Sequence, residues 1–394
     1  MLSNPIDRLG KVTFIPVLFQ PGGLGVLKDK KLSFWLKNSI YEYPYCLINA
    51  HHHKKRVTVE MQEDFLPETV TFADSGGLQA VTLKAGKPNI EELTLWQQKH
   101  SNIGFGFDEL PFITDRGKLT GWEFDNKNFL DYAKRSAKNL DIALCTRTNE
   151  NFKIYGIIQG RKFEEYKKWY DVVKCDVDGY CVKAPSNNPV NVAESALFAY
   201  YNIDKPLHFL GMSSLSKALV IYYFSKYFKH KITFDSSTYC LGSKFRTFVS
   251  PIFCLKIRYV KPDVEKGNFD DRIIFENPYD LSFCGCPICS FLSKEEFKEL
   301  HVSNDTRLGG FIDMHNLVGL LKLFNFAEQI YQSKAAMSQF ARSLFKKQTA
   351  ERVVNAFNMI DEGVNKGYDF VSKKYSSLLS SNIEVVKQTS ILDF

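Results

Sequence analysis

The first 260 residues alternate between two kinds of hydrophobic pattern. Short, nearly continuous apolar runs are typical of buried strands, and longer stretches with an apolar residue every three or four positions are typical of amphipathic helices. The predicted strands cover residues 13–18, 70–73, 103–107, 153–158, 179–182, 207–210 and 231–234, and the helices between them include 126–139, 163–173, 192–201 and 214–228. This alternation predicts an α/β fold of βα units around a parallel sheet.

Several predicted strands end at a polar or glycine-containing cluster. The clusters are Asp74-Ser75-Gly76-Gly77, Asp108-Glu109, Gln159-Gly160, Gly211 and Asp235-Ser236-Ser237. In a (β/α)8 barrel, the carboxyl ends of the strands form the face that carries the chemistry. We therefore expect a TIM barrel in which these clusters surround one mouth.

Three cysteines, Cys284, Cys286 and Cys289, lie close together, whereas the other cysteines are scattered singly. A secreted disulfide framework would distribute paired cysteines along the chain, so the cluster favours a metal site in a reducing compartment. Three thiolates need a fourth ligand, and His301 and His315 both follow. His315 lies early in a convincing amphipathic helix that would hold its ring rigidly. With three cysteines, one histidine and no open position, we expect structural Zn²⁺.

The alternation ends after residue 260, and three segments are predicted. Residues 1–275 form the barrel domain, 276–335 a zinc-binding subdomain with the helix that closes the barrel, and 336–394 a C-terminal helical segment. Within them, 263–271 is predicted as a loop, 310–330 and 334–361 as long helices, and 373–394 as a Ser-rich end that frays or packs as a short helix.

The composition adds modest constraints. There are 51 Lys+Arg against 44 Asp+Glu, a net charge of +7, which permits a polyanionic partner without requiring one. No apolar run reaches the ~20 residues that span a bilayer, and no signal-peptide pattern opens the chain, so we expect a cytoplasmic protein without a membrane partner. Two basic segments either contact a phosphate backbone or are solvated surfaces: His51 to Arg56, and the helix with Lys334, Arg342, Lys346, Lys347 and Arg352.

Asp74, Asp108 and Asp235 each end a predicted strand, so a barrel would bring them to one mouth. Paired carboxylates divide labour, one ionised as a nucleophile and the other moving a proton, and displacement at a sugar anomeric carbon is the commonest such reaction. The alternative is that each aspartate is a strand-end cap or a salt-bridge partner. A carboxylate and the amide of Gln159 together can read a purine edge.

These motifs resemble the tRNA-guanine transglycosylase superfamily. The resemblance runs from about residue 70 to residue 330, and the matching motifs occur in the family's order. They are Phe72-Ala73-Asp74-Ser75-Gly76-Gly77-Leu78-Gln79, Phe107-Asp108-Glu109, Gly156-Ile157-Ile158-Gln159-Gly160, Phe234-Asp235-Ser236, the Cys-x-Cys-x-x-Cys cluster and His315. The resemblance implies a zinc-containing TIM barrel that exchanges guanine in a polynucleotide for a free 7-deazaguanine, such as 7-cyano-7-deazaguanine.

The resemblance also implies roles for individual residues. Asp235 is the nucleophile that forms a covalent glycosyl–enzyme, and Asp74 is the general acid/base. The substrate-binding residues are Ser75, Gly76, Gly77, Asp108, Gln159, Gly160 and Gly211, and the zinc ligands are Cys284, Cys286, Cys289 and His315. On this reading the zinc stays outside the chemistry.

The chain departs from the family at three places. Leu78 replaces an aromatic residue, Lys183-Ala184 replaces Gly-Gly after a strand, and Thr238-Tyr239-Cys240 replaces a Pro-Thr-Arg stretch used on tRNA. The chain is also too short for the C-terminal RNA-binding domains of archaeal tRNA enzymes. We therefore favour DNA over tRNA as the substrate, as in the related DNA-guanine transglycosylases of bacterial and phage 7-deazaguanine modification systems, and expect positive potential around the mouth.

Two further alternatives stay open. A paralogue without catalysis could keep the barrel and the zinc and only bind nucleic acid or a partner subunit, although the joint presence of the three aspartates and Gln159 argues against it. A homodimer or an accessory protein would be compatible with the same sequence.

Overall fold

The computed structural model describes residues 4–50, 54, 56–82, 87–115, 118–183, 188–212, 214–240, 247–250, 255–258, 281 and 284–380. The predicted loop at 263–271, His51 to His53 and residues 381–394 lie outside these ranges.

Eight parallel strands form the central sheet. They are β1 (Val12–Pro16), β2 (Tyr45–Asn49), β3 (Val70–Asp74), β4 (Ile103–Phe105), β5 (Lys153–Ile158), β6 (Gly179–Lys183), β7 (Leu207–Leu210) and β8 (Ile232–Ser236). Their order is β1-β8-β7-β6-β5-β4-β3-β2, so the strands from β2 to β8 pair in sequence order and β8 pairs with β1. A parallel bridge between Val17 and Leu47 joins the two ends. The predicted (β/α)8 TIM barrel is confirmed.

Helices connect the strands and continue beyond the barrel. They are α1 (Val59–Gln62), α2 (Gly77–Thr82), α3 (Ile90–His100), α4 (Phe129–Thr146), α5 (Phe163–Val173), α6 (Pro189–Asn202), α7 (Leu215–Phe224), α8 (Lys294–Val302), α9 (Arg307–Ile330), α10 (Lys334–Leu344), α11 (Lys347–Lys366), α12 (Tyr368–Lys374) and α13 (Ser376–Ser380). A short 3₁₀ helix covers Cys289–Phe291, and three antiparallel hairpins pair Val26–Leu27 with Lys30–Lys31, Phe112–Asp115 with Lys118–Phe124, and Thr247–Ser250 with Leu255–Arg258.

The barrel interior is a small apolar core separate from the larger core between strands and helices. Its members include Phe72, Phe105 and Tyr155. The ring centroids of Phe72 and Phe105 lie 6.0 Å apart, and those of Phe105 and Tyr155 lie 6.4 Å apart. Successive side chains of a strand point to opposite faces, so every second residue of each strand enters this interior. The interior is therefore a packed floor, and the side chains one step further toward the carboxyl ends lie at the mouth.

Two predictions of secondary structure were incomplete. Strand β2 was not among the predicted strands, because Pro44 and two tyrosines precede its short apolar run. The predicted continuous helix at 334–361 is wrong, since the chain leaves helical geometry at Phe345, with φ −118° and ψ 153°. The break allows α10 and α11 to pack on each other and on the barrel helix α7.

The C-terminal helices are connected to the barrel by partly buried polar contacts. The carboxylate of Asp361 on α11 accepts hydrogen bonds from the hydroxyls of Tyr223 and Tyr227 at 2.7 Å each, and Lys334 pairs with it at 3.0 Å. Lys334 is itself exposed but is paired within the protein, and the other basic residues of the predicted face are exposed as well: Arg342, Lys346, Lys347 and Arg352. No described helix is long and apolar enough to cross a membrane.

Candidate active site and metal centre

Strand alternation determines which polar side chains enter the barrel mouth. Val70 and Phe72 of β3 point inward, so Asp74 points inward as well, and Ile15 on β1 is paired with Asp235 on β8. The same alternation places Lys183 above the inward-facing Cys181 on β6. The mouth therefore holds carboxylates and an ammonium group on top of an apolar floor.

Asp235 is an ionised carboxylate held by one of its two oxygens. Its Oδ1 accepts hydrogen bonds from the main-chain N–H of Gly211 at 2.7 Å and from Nε2 of His208 at 3.1 Å. Burial alone would raise the pKa of Asp235, but His208, the Gly211 N–H and the charge of Lys183 outweigh it, and the pKa lies below its ordinary value. Among the described residues no hydrogen bond occupies Oδ2, so this oxygen can act as a nucleophile.

His208 is fixed below Asp235 from two sides. The imidazole is fully buried, and its ring lies 4.6 Å from the ring of Phe105 in the barrel floor. Its Nδ1 lies 2.8 Å from the hydroxyl oxygen of Thr233, and that oxygen lies 3.2 Å from the Leu207 carbonyl oxygen. With Nε2 donating to Asp235, the imidazole holds the carboxylate in one orientation.

Asp74 has the opposite environment from Asp235. Its Oδ2 accepts a hydrogen bond from the amide of Asn49 at 2.6 Å, and its Oδ1 accepts one from the N–H of Gly76 at 3.2 Å. Burial dominates and the charge of Asp235 adds to it, so the pKa of Asp74 is raised despite these hydrogen bonds. Gly76 has φ +80°, a left-handed conformation that suits glycine and aims its N–H at the carboxylate.

Asp108 and Gln159 form a buried pair next to Asp74. The amide Nε2 of Gln159 donates to Oδ2 of Asp108 at 2.6 Å. Burial raises the pKa of Asp108 to about 6, and the hydrogen bond from Gln159 offsets this effect only in part. The negative charge of Asp74 adds to the rise. A Cβ at Gly77 would lie 2.8 Å from Oδ1 of Asp108, so glycine is required for the chain to approach this carboxylate.

The remaining predicted substrate-binding residues have different surroundings: Ser75 offers a hydroxyl to a ligand, Gly160 packs against a helix, and Gly211 binds the nucleophile. The hydroxyl of Ser75 is buried and has no hydrogen-bond partner in the part of the chain that the structure describes, which leaves it free for a ligand. A Cβ at Gly160 would lie 2.8 Å from the ring of Tyr166, so this glycine serves packing against α5. Gly211, with φ +65°, supports the nucleophile through its N–H.

Two lysines lie beside the carboxylates. Lys183 is half-buried, and a Cβ at Gly211 would lie 3.0 Å from its Nζ. Lys217, only 2% exposed on α7, donates from Nζ to the Gly211 carbonyl at 3.2 Å. Burial lowers the pKa of Lys217 to about 7, and the nearby positive charge of Lys183 adds to this effect.

Sequence reasoning did not identify Asn49, His208 or Lys217 as site residues. His208 is hidden inside an apolar strand, and its signal is the two-residue spacing that places it on the same face as Leu210 at the strand end. Asn49 ends the strand that was not predicted, directly opposite Asp74 in the register. Neither signal is usable until the strands and their pairing are known.

The metal centre gathers the four predicted ligands. Cys284, Cys286, Cys289 and His315 are all buried, and their ligand atoms lie within 4.8 Å of one another. The sulfur atoms lie 3.8, 3.3 and 3.2 Å from Nδ1 of His315, close to the S···N separation of about 3.6 Å that tetrahedral zinc bond lengths imply. This donor set fits structural Zn²⁺, with every position filled by protein.

The metal centre supports the segment that follows the nucleophile. The ring of Phe248 stacks on His315, with centroids 3.5 Å apart. The next residue, Asn316, donates to the carbonyl of Tyr239 at 3.2 Å, and the Tyr239 hydroxyl donates to the Val17 carbonyl at 2.7 Å. The metal-bearing helix α9 is thereby connected to the chain just beyond Asp235.

Comparisons with known proteins add little to the geometry. The sequence matches no model of a known protein family and no curated protein. Among solved structures, it is similar to a phosphoenolpyruvate phosphomutase from Streptomyces platensis subsp. rosaceus, with 10% sequence identity and a TM-score of 0.38 over 61% of this chain and 81% of that chain. A likeness this distant carries no argument about activity, and the chain is assigned to the TIM barrels by its strand order and register.

Proposed function

We propose that the protein is a base-exchange transglycosylase that replaces guanine in a polynucleotide with a free 7-deazaguanine. Oδ2 of Asp235 attacks C1′ of the target nucleotide, the C1′–N9 bond breaks, and guanine leaves with a proton supplied by Asp74. The incoming base then gives its N9 proton to Asp74, attacks C1′ and displaces the carboxylate of Asp235. Two displacements at one carbon retain its configuration.

The observation that carries the proposal is the contrast between the two carboxylates at the mouth. The pKa of Asp235 is lowered by His208, Gly211 and Lys183 against the effect of burial, whereas burial raises the pKa of Asp74. A pair of carboxyl groups whose environments move their pKa values apart suits one group to nucleophilic attack and the other to proton transfer. Strand-end caps would not require this contrast.

The neighbouring groups are complementary to a purine edge. Guanine presents N–H donors and one carbonyl acceptor on a single edge, and Asp108 with Gln159 offers an acceptor and a donor side by side. The hydroxyl of Ser75, which has no hydrogen-bond partner among the described residues, adds a group that can donate or accept. A base must leave its stack to reach this pocket, at a cost of a few kcal/mol that these contacts have to offset.

We propose DNA as the polynucleotide, with tRNA as the second candidate. The net charge of +7 suits either partner. The preference for DNA rests on the sequence at Thr238, Tyr239 and Cys240, where the tRNA-contacting stretch of the resembling family is replaced. In this segment Tyr239 forms hydrogen bonds within the protein, from its hydroxyl to the Val17 carbonyl and from the Asn316 amide to its own carbonyl.

The test is incorporation of a labelled base. The protein is incubated with labelled guanine, or with labelled 7-cyano-7-deazaguanine, and offered duplex DNA, single-stranded DNA or total tRNA in separate reactions. We expect incorporation into DNA by the wild-type protein and by Asp131→Asn, an exposed control on α4, and none by Asp235→Asn. Incorporation into tRNA alone would reject DNA as the substrate, and incorporation into neither would reject base exchange.

A further inference from the structure

We propose that Lys183 is a catalytic residue of the base exchange, whose ammonium group stabilises negative charge on the purine while the bond to C1′ breaks and forms. This inference rests on the proposed function and adds a catalytic group at a position where the resembling family has glycine.

Lys183 is placed beside the nucleophile by the end of strand β6. Its carbonyl accepts a hydrogen bond from the Tyr166 hydroxyl at 2.9 Å, which fixes the main chain at this point. Its Nζ lies next to Gly211, the residue whose N–H binds Oδ1 of Asp235. The ammonium group thus flanks the reacting carboxylate.

Within the described residues, the ammonium group of Lys183 forms no hydrogen bond or close ion pair. The three carboxylates whose ionisation its charge favours accept hydrogen bonds from other donors, namely Asn49 for Asp74, Gln159 for Asp108, and His208 with Gly211 for Asp235. A half-buried ammonium without a partner is costly, and a substrate atom that carries negative charge would offset that cost.

The position of Lys183 relative to the purine follows from the other groups. The purine has to lie between Asp235, which attacks C1′, and the pair of Asp108 and Gln159, which reads its edge. The charge of Lys183 favours ionisation of Asp74, Asp108 and Asp235 alike, so its field covers the space between them. A purine bound there lies within that field.

The chemistry needs a positive charge at this place. When C1′–N9 breaks, its electron pair moves onto the purine, which is negatively charged until it takes the proton of Asp74. In the return step, the incoming base carries the same charge after its N9 proton passes to Asp74. Lys183 neither donates nor accepts a proton in this scheme, and its ammonium group stabilises the negative charge electrostatically in both steps.

The experiment compares Lys183→Met with Lys183→Arg and with Lys168→Met, an exposed control on α5. Single-turnover release of guanine from labelled DNA is measured together with DNA affinity. We expect Lys183→Met to slow release by roughly 10²–10³-fold, the usual cost of removing one preorganised stabilising group, with DNA affinity within about threefold of wild type. Lys183→Arg should recover part of the rate, and Lys168→Met should match wild type.

A second measurement separates a role in charge stabilisation from one in positioning. Lys183→Met should slow release of 7-cyano-7-deazaguanine from modified DNA less than it slows release of guanine. The cyano group withdraws electron density and so stabilises the negative charge of the leaving base without Lys183. Equal losses for the two bases, or a wild-type rate in a folded Lys183→Met protein, would overturn the inference, as would DNA affinity that falls in proportion to the rate. If the wild-type protein releases no base from any polynucleotide, the proposed function fails and this inference with it.

Discussion

Replacement of Asp108 by asparagine tests the electrostatics of the mouth through stability. Asp108 is 6% exposed, and burial raises its pKa to about 6. In the unfolded chain the carboxyl pKa is near 4. Between about pH 4 and about pH 6 the folded protein therefore holds a proton on Asp108 that the unfolded chain has lost. Stability contributed by this group is complete below pH 4 and is lost as the pH rises through 6.

The expected magnitude follows from the separation of the two pKa values. A difference of about two units corresponds to about 3 kcal/mol of unfolding free energy at pH values well above 6. Asparagine has nearly the same shape, keeps an oxygen that accepts from Gln159, and carries no charge. Asp108→Asn should therefore be more stable than wild type by up to about 3 kcal/mol at pH 8, although it should lose base exchange.

The assay is urea unfolding of both proteins at several pH values between 4 and 8. A change in packing caused by the substitution shifts the stability by the same amount at every pH. The informative quantity is therefore how the difference in unfolding free energy between Asp108→Asn and wild type changes with pH. We expect the advantage of Asp108→Asn to grow through pH 6 and to level off above pH 7, and expect Asp131→Asn to lie within ~0.5 kcal/mol of wild type at each pH. A stability difference that stays constant as the pH rises, or that declines, would contradict a raised pKa of Asp108 in the folded protein.

Three further predictions concern the site and its support. Gly77→Ala should lower base exchange by at least about tenfold in steady-state kinetics, because the added methyl displaces the carboxylate of Asp108; unchanged kinetics would argue against that contact. His208→Gln should move the acid limb of the pH–rate profile toward neutral pH, because the pKa of Asp235 rises without the imidazole; an unmoved limb would exclude this role. Mass spectrometry should find one zinc per chain, and Cys289→Ser should lose it together with several kcal/mol of stability, whereas a metal-free wild type of equal stability would contradict a structural centre.

The barrel and its mouth were predictable because the strands are short and apolar and their last residues are polar. Asp74 and Asp235 each end such a run, and parallel pairing brings strand ends together at one edge of a barrel. The cysteine cluster was predictable from spacing alone, whereas the choice of His315 over His301 as fourth ligand came from the resemblance, with which its place early in a helix agrees. The predicted set of four ligands is confirmed as a buried cluster, while the identity of the metal stays a prediction.

The groups that tune the carboxylates could not be predicted in the same way. His208 lies on β7 and contacts Asp235 on the neighbouring strand β8, so its role depends on which strands pair and on which face of its strand each residue lies. Lys183 was evident as a departure from the family, but its proximity to Gly211 is a property of the folded strand end. The helix break at Phe345 has no proline or glycine to announce it, and it follows from packing among α7, α10 and α11.

The proposed mechanism requires Asp235 to form a covalent bond to C1′ of a nucleotide. The most direct measurement is denaturing electrophoresis with intact mass spectrometry of the protein after incubation with a guanine-containing DNA oligonucleotide. We expect a denaturant-resistant adduct with the mass of protein plus oligonucleotide minus guanine, which disappears when excess free base is added and is absent from Asp235→Asn. The absence of any adduct with DNA or tRNA, or an adduct that survives in Asp235→Asn, would contradict it.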